Sequence, residues 1–169
     1  MKGSEDVLVA GIGNESRRDD ACGLEVVRRI SRRPPPGVLI AEFPGDLTDI
    51  IDLWQERRLV VVVDAMRTSL PPGTIVRSEV SGPGFEESPT PSSTHGLSLV
   101  HAVGLGRALG KLPAEIVLFT IEAREVRMGI GLSREVEAAV PRVVAQVLAE
   151  VARAAPAHAG SRPGGIAHA

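Results

Sequence analysis

"VLVAGIGNESRRDDACGLEVVRRI", residues 7–30, decides the fold class. Residues 7–12 form an unbroken apolar run closed by Gly13, as expected of a strand buried on both faces. Beyond a polar turn, from Asp20 onward, Cys22, Val26, Val27 and Ile30 recur at helical spacing. Arg28, Arg29, Arg32 and Arg33 gather at the helix end, where cations complement its dipole, and the prolines at 34–36 forbid continuation. A strand, a glycine turn and a helix in that order are one half of a parallel α/β unit.

The same alternation extends outward along the chain. "VLIAEF" (38–43) reads as a second strand. "DLTDIIDLWQER" (46–57) reads as a helix with Asp46 as N-cap and Leu47, Ile50, Ile51 and Trp54 on its buried stripe. "LVVVVDA" (59–65) carries the strongest strand signal and is expected at the centre of the sheet, ending on Asp64. "GTIVRSEV" (73–80) alternates, which suits a strand with one wetter face. "SGPGFEESPTPSST" (81–94) is a long Ser/Pro/Gly loop of the kind that carries function. "HGLSLVHAVGLGRALG" (95–110) reads as a helix with Leu97, Val100, Val103 and Leu109 on one face, and "EIVLFTIEA" (115–123) as a buried strand. The stretch 133–155 is an amphipathic helix capped by Ser133, with Pro141 kinking it or lying near its first turns. These readings give an α/β fold with a mostly parallel central sheet, one domain over 1–155, and a disordered tail over 156–169.

Composition narrows the function. Aromatic residues make up only 2 % of the chain, which removes the stacking platforms of a base-binding protein. A formal net charge of −2 supplies no field that draws it to nucleic acid or anionic lipid. A lone cysteine, Cys22, excludes an internal disulfide and a CxxC metal site, and reads as a small buried hydrophobe. No apolar run approaches the roughly 20 residues of a membrane span, and "MKGSEDVLVAGIG" is no signal peptide. A cytoplasmic protein without membrane insertion is expected.

In parallel sheets, ligands bind beyond the carboxyl ends of the strands. Asp19 and Asp20 follow the first strand, Asp64 closes the third, and His95 stands where the long loop meets a helix. If their crossings leave one edge of the sheet, Asp20, Asp64 and His95 meet in a crevice as an O/O/N donor set suited to a divalent transition metal. Each has a plainer reading: the aspartates as helix caps, Asp64 as a paired buried carboxylate, His95 as a helix-start residue beside a Thr94 cap. "GIGN" (11–14) lacks the third glycine of a dinucleotide fingerprint, since position 16 is Ser16. There is no P-loop and no G-x-S-x-G. Of the remaining histidines, His101 is packed or solvent-facing and His158 and His168 lie in the tail.

Taken in order, "GIGNESRRDDACG" (11–23), "VVVDA" (61–65), "STHGLSL" (93–99) and "GIGLSREVEAAVP" (129–141) resemble the hydrogenase maturation proteases. The resemblance implies a three-layer α/β/α sandwich around a twisted sheet. It also implies an endopeptidase that removes the C-terminal extension of a nickel-loaded [NiFe]-hydrogenase large-subunit precursor. On it, Asp20, Asp64 and His95 are the metal-binding and catalytic positions, with Asp19 in support. The nickel comes with the precursor, other divalent metals being able to substitute, and a monomer is expected. "EFPGDLTDI" (42–50) departs from the glycine–threonine-rich turn of some members, so Asp46 and its neighbours are expected to tune which precursor is accepted. Two other classes stay open: a non-catalytic nickel-sensing or chaperone module docking on the large subunit, and a nucleotide enzyme built on the "GIGN" turn.

Overall fold

The computed structural model describes residues 6–45, 47, 49–80 and 96–154, with side chains in the last segment from Leu99 onward. Its elements are β1 (Val7–Ile12), a 3-10 turn (Arg18–Ala21), α1 (Cys22–Ser31), β2 (Val38–Phe43), α2 (Ile50–Trp54), β3 (Leu59–Met66), β4 (Ile75–Glu79), α3 (Gly96–Ala108), β5 (Glu115–Glu122) and α4 (Arg134–Ala154). The strands form one sheet in the order β2-β1-β3-β5-β4. Four are parallel, and only the edge strand β4 runs antiparallel, against β5.

Alternation along the strands divides the core in two. Val7, Val9, Val61, Val63, Val117 and Phe119 point to the face covered by α1 and α4. Leu8, Ala10, Ile12, Val60, Val62 and Ile116 point to the opposite face, with Trp54 of α2 and Leu99, Ala102 and Val103 of α3. The result is the three-layer α/β/α sandwich. β3 is central, and in register Val61 lies between Val9 and Val117. Each fully buried valine or leucine contributes about 1.5–3 kcal/mol relative to exposure, so a mostly aliphatic core suffices, with Trp54, Phe119 and Phe43 as its aromatic members.

Several local readings are corrected. The first helix starts at Cys22, after a 3-10 turn that contains Asp19 and Asp20. The helix expected over 46–57 contracts to the five residues of α2, and the proposed Asp46 cap lies outside the described residues. Leu109 follows α3 with 55 % exposure, and the buried face of that helix is Leu99, Ala102 and Val103. Pro141 sits inside α4 on its exposed side, where its missing N–H leaves one helical carbonyl without its usual backbone partner. The loop 81–94 and the tail 156–169 lie outside the described residues.

Topology creates one special place. The β1–α1–β2 connection covers one face and the β2–α2–β3 connection the other, so the chain winds away from the boundary between β1 and β3 in opposite directions. Such a boundary opens a crevice at the carboxyl ends of its two strands. β1–β3 pairing ends at Gly11 and Val63, one residue before Asp64.

Candidate active site at the carboxyl edge of β1 and β3

The 3-10 turn is drawn into that crevice by missing side chains. A methyl group on Gly11 would collide with the Gly23 carbonyl, and one on Gly23 with the carbonyls of Ile12 and Val63. Only hydrogen at both positions lets the first turn of α1 lie directly on the ends of β1 and β3. Asp20 is carried in with it, 2 % exposed, and its carbonyl accepts from Asn14 N–H at 3.4 Å.

Asp19 does different work. Its Oδ2 accepts the N–H groups of Arg124 (2.9 Å) and Glu125 (3.0 Å) and the Ser133 hydroxyl (2.8 Å), and its Oδ1 accepts Ser133 N–H (2.6 Å). Neither the 3-10 turn nor α1 has a side-chain cap. The expected cap is therefore a clamp between the turn and the segment joining β5 to α4. Ser133, expected to cap α4, gives its hydroxyl to this clamp. Beside it Arg18 adopts a left-handed backbone (φ 50°), costly for a non-glycine residue and held by backbone bonding to Gly129 at 2.9 Å.

Asp64 lies within β3, which continues to Met66 rather than stopping on the aspartate. Strand alternation places Asp64 with Val60 and Val62 on the α2/α3 face, 4 % exposed. Its Oδ1 accepts Ala65 N–H at 2.8 Å, which fixes the carboxylate plane. In register beside it is Thr120 of β5, and two residues further Glu122 pairs with Met66. Glu122 accepts Thr68 N–H (2.6 Å) and the Thr68 hydroxyl (2.8 Å), anchoring the β3–β4 connection.

The carboxylates share one neighbourhood. Burial pushes the Cys22 thiol well above its ordinary range, and the charges of Asp64, Asp19 and Asp20 push it further. A thiol so disfavoured as thiolate is no nucleophile, in line with its reading as a hydrophobe. Of the six polar or charged side chains buried among the described residues, five belong to this edge: Asp19, Asp20, Asp64, Thr120 and Glu122. Thr120, Glu122 and the Asp19 clamp escaped sequence reasoning. The one available signal was a lone threonine and a glutamate ending an apolar strand.

His95 lies outside the described residues. Among the described residues no three His, Cys, Asp or Glu side chains are grouped to hold a metal ion. The two buried aspartates are hard oxygen donors of the type divalent metals take. α3, which begins one residue after His95, packs on the Asp64 face. Its Gly106 lies against Trp54, at the end of the sheet where β3 and β5 begin. Roughly 1.5 Å per residue over the helix then directs its first turn toward the carboxyl edge. His101 is exposed on α3 and takes no part.

Comparison with known proteins agrees with this architecture. The family model for hydrogenase maturation protease matches residues 29–150. The hydrogenase 2 maturation protease of Escherichia coli (strain K12) is 28 % identical over 148 residues, covering 85 % of this chain and 88 % of that protein. The solved structure of the [NiFe] hydrogenase maturation protease HybD from Thermococcus kodakarensis superposes with a TM-score of 0.71 at 27 % identity, covering 86 % of this chain and 98 % of that one. The hydrogenase maturating endopeptidase HybD from E. coli reaches 0.76 at 23 % identity, over 88 % and 93 %, a likeness of fold. With most of its length matched by the family model and its fold shared with the solved structures, this chain belongs to the hydrogenase maturation protease family of peptide-bond hydrolases.

Proposed function

We propose that this chain is the endopeptidase that removes a C-terminal extension from a nickel-loaded [NiFe]-hydrogenase large-subunit precursor in the cytoplasm, with Asp20, Asp64 and His95 as its working residues. The observation that carries the reading is the pair of buried aspartates flanking the β1/β3 switch point, 44 residues apart in sequence (64 − 20). Both carboxylates act on the same buried Cys22 thiol, which puts them in one neighbourhood, and oxygen donors of that kind suit a divalent cation. Nickel belongs to the precursor and is substrate cargo in this reading. Asp20 and Asp64 provide two oxygen donors toward it and His95 a nitrogen, which brings the scissile peptide to the crevice. A metal so held polarises the peptide carbonyl or acidifies a bound water. Asp19 keeps the turn that bears Asp20 from moving. Other divalent metals of similar size fit the same donors, and the protein acts as a monomer.

The experiment is mass spectrometry of nickel-loaded precursor before and after incubation with the wild-type chain and with Asp64→Asn. Asparagine keeps an acceptor for Ala65 N–H, so the fold is expected to survive with a native circular dichroism spectrum. Processing is expected to fall at least ~100-fold. Normal trimming by the variant would remove Asp64 from the mechanism. Precursor bound but left uncut by the wild type would instead identify a nickel-sensing chaperone.

A further inference from the structure

Met128 and Ile130 are the two most exposed large apolar side chains among the described residues, at 74 % and 76 %. Isolated exposed hydrophobes are ordinary, but these stand two residues apart on a fastened segment beside the active-site turn. The Asp19 carboxylate grips both ends of the segment, at Arg124, Glu125 and Ser133. Between those grips, Arg17 Nε donates to the Val126 carbonyl (3.1 Å) and Arg18 Nη1 to the Ile130 carbonyl (3.2 Å). Gly129 exchanges backbone bonds with Ser16 and Arg18 at 2.8 and 2.9 Å. The two apolar tips are thus held outward by the same turn that carries Asp20.

Ile130, Gly131 and Leu132 also form one wall of a groove of about 400 Å³, whose other side includes Glu15, Ala21 and Glu25. Ala21, the residue after Asp20 in the chain, lines this groove, so the groove borders the turn that carries the aspartate. Its lining holds Glu15, Glu25 and Glu137 against one guanidinium, Arg28. Arg28 is already shared between Glu15 and Glu42, and Arg29 between Glu25 and Glu137. Four carboxylates against two guanidinium groups leave the groove itself net negative, which favours a cationic partner group there, while Arg18 and Arg127 pair with Glu125 beside the apolar tip.

We propose that the groove and the Met128–Ile130 tip form the docking surface for the hydrogenase large-subunit precursor, receiving a segment in which an apolar side chain adjoins a lysine or arginine. The inference rests on the proposed substrate, and explains why Asp19 and the "GIGLS" stretch (129–133) are built as one rigid unit. Interfaces set an apolar core within a polar rim, and methionine is among the residues enriched in that core.

The test separates docking from cutting. Affinity for nickel-free precursor, which the proposed mechanism leaves uncut, is measured by calorimetry for Ile130→Asp, Met128→Asp and Glu137→Lys in the otherwise wild-type chain, with nickel-loaded precursor as the control for the parent. Each is expected to raise Kd at least 10-fold, and added salt to weaken the parent complex. In the otherwise wild-type chain, Ile130→Asp is expected to raise KM with kcat within two-fold. Unchanged Kd and KM in natively folded variants overturn the docking surface even if cleavage proceeds. A wild type that binds but never cuts, with binding lost in the variants, upholds the surface and refutes the peptidase reading. No binding by the wild type overturns both. If Ile130→Asp instead splits a dimer in sedimentation and leaves precursor affinity unchanged, the occupant is a second copy and the proposal fails.

Discussion

Asp19 and Asp20 are adjacent, chemically identical and both buried, and the fold commits the first of them to a long-range clamp. Asp19 saturates its oxygens with four donors, three from backbone, contributed by residues 105 to 114 positions away. That separation is why its role was legible only as "structural": no local spacing encodes a partner so distant in the chain. Replacement by asparagine tests the clamp sharply. Both oxygens receive backbone N–H, so either orientation of the amide points its own NH₂ at a donor. Asp19→Asn is expected to cost ~3 kcal/mol or more, close to Asp19→Ala, because buried donors lose their acceptor in both. Urea denaturation measures it; a loss under 1 kcal/mol would mean the clamp is not formed in solution.

At the scale of elements, β1, β2, β3, β5 and α4 fall within a residue or two of their sequence limits, because buried strands and a long amphipathic helix write their period into the chain. The short helix α2 was overextended, since "DLTDIIDLWQER" is helix-patterned for longer than the chain has room to stay helical. Its C-terminal residue is followed by Gln55 in an extended conformation and Glu56 at φ 63°, turning the chain into β3. The 3-10 turn depends on an element contact invisible to periodicity, the backbone approach of Gly11 and Gly23. Gly23→Ala places a methyl between two carbonyls that belong to different strands, Ile12 and Val63, so neither can yield alone. The variant is expected to lose ~3 kcal/mol or more from overpacking. A thermal melt checks this, and a near-native melting temperature would show that α1 lies further from the sheet than described.

Across the whole molecule, charge is distributed in pairs that tie layers together, whereas at the carboxyl edge of β1 and β3 the buried Asp19 is held by backbone N–H groups and a serine hydroxyl. The contrast was partly legible: the acids that end strands stood out, whereas the pairing of surface arginines depends on which elements become neighbours. The largest such tie joins α4 to the sheet edge. Glu150, 8 % exposed, accepts from Arg77 of β4 at 2.8 and 3.1 Å and from Arg153 at 2.8 Å, while Arg153 reaches Glu115 of β5 at 2.6 Å. The Arg77 hydrogen bonds, more than burial opposes, hold the Glu150 carboxyl below its ordinary 4.5. A carboxyl with a lowered folded pKa binds its proton at higher pH in the unfolded chain. Its stabilisation is therefore full above pH 4.5 and is lost as pH falls through the folded value. Glu150→Gln is expected to lower stability at pH 7 by about 1–2 kcal/mol and to flatten the decline below pH 4.5. Urea denaturation of both proteins at pH 7 and pH 3.5 measures the difference, which should shrink at the lower pH. An equal gap at both values would show that Glu150 contributes by packing rather than by charge.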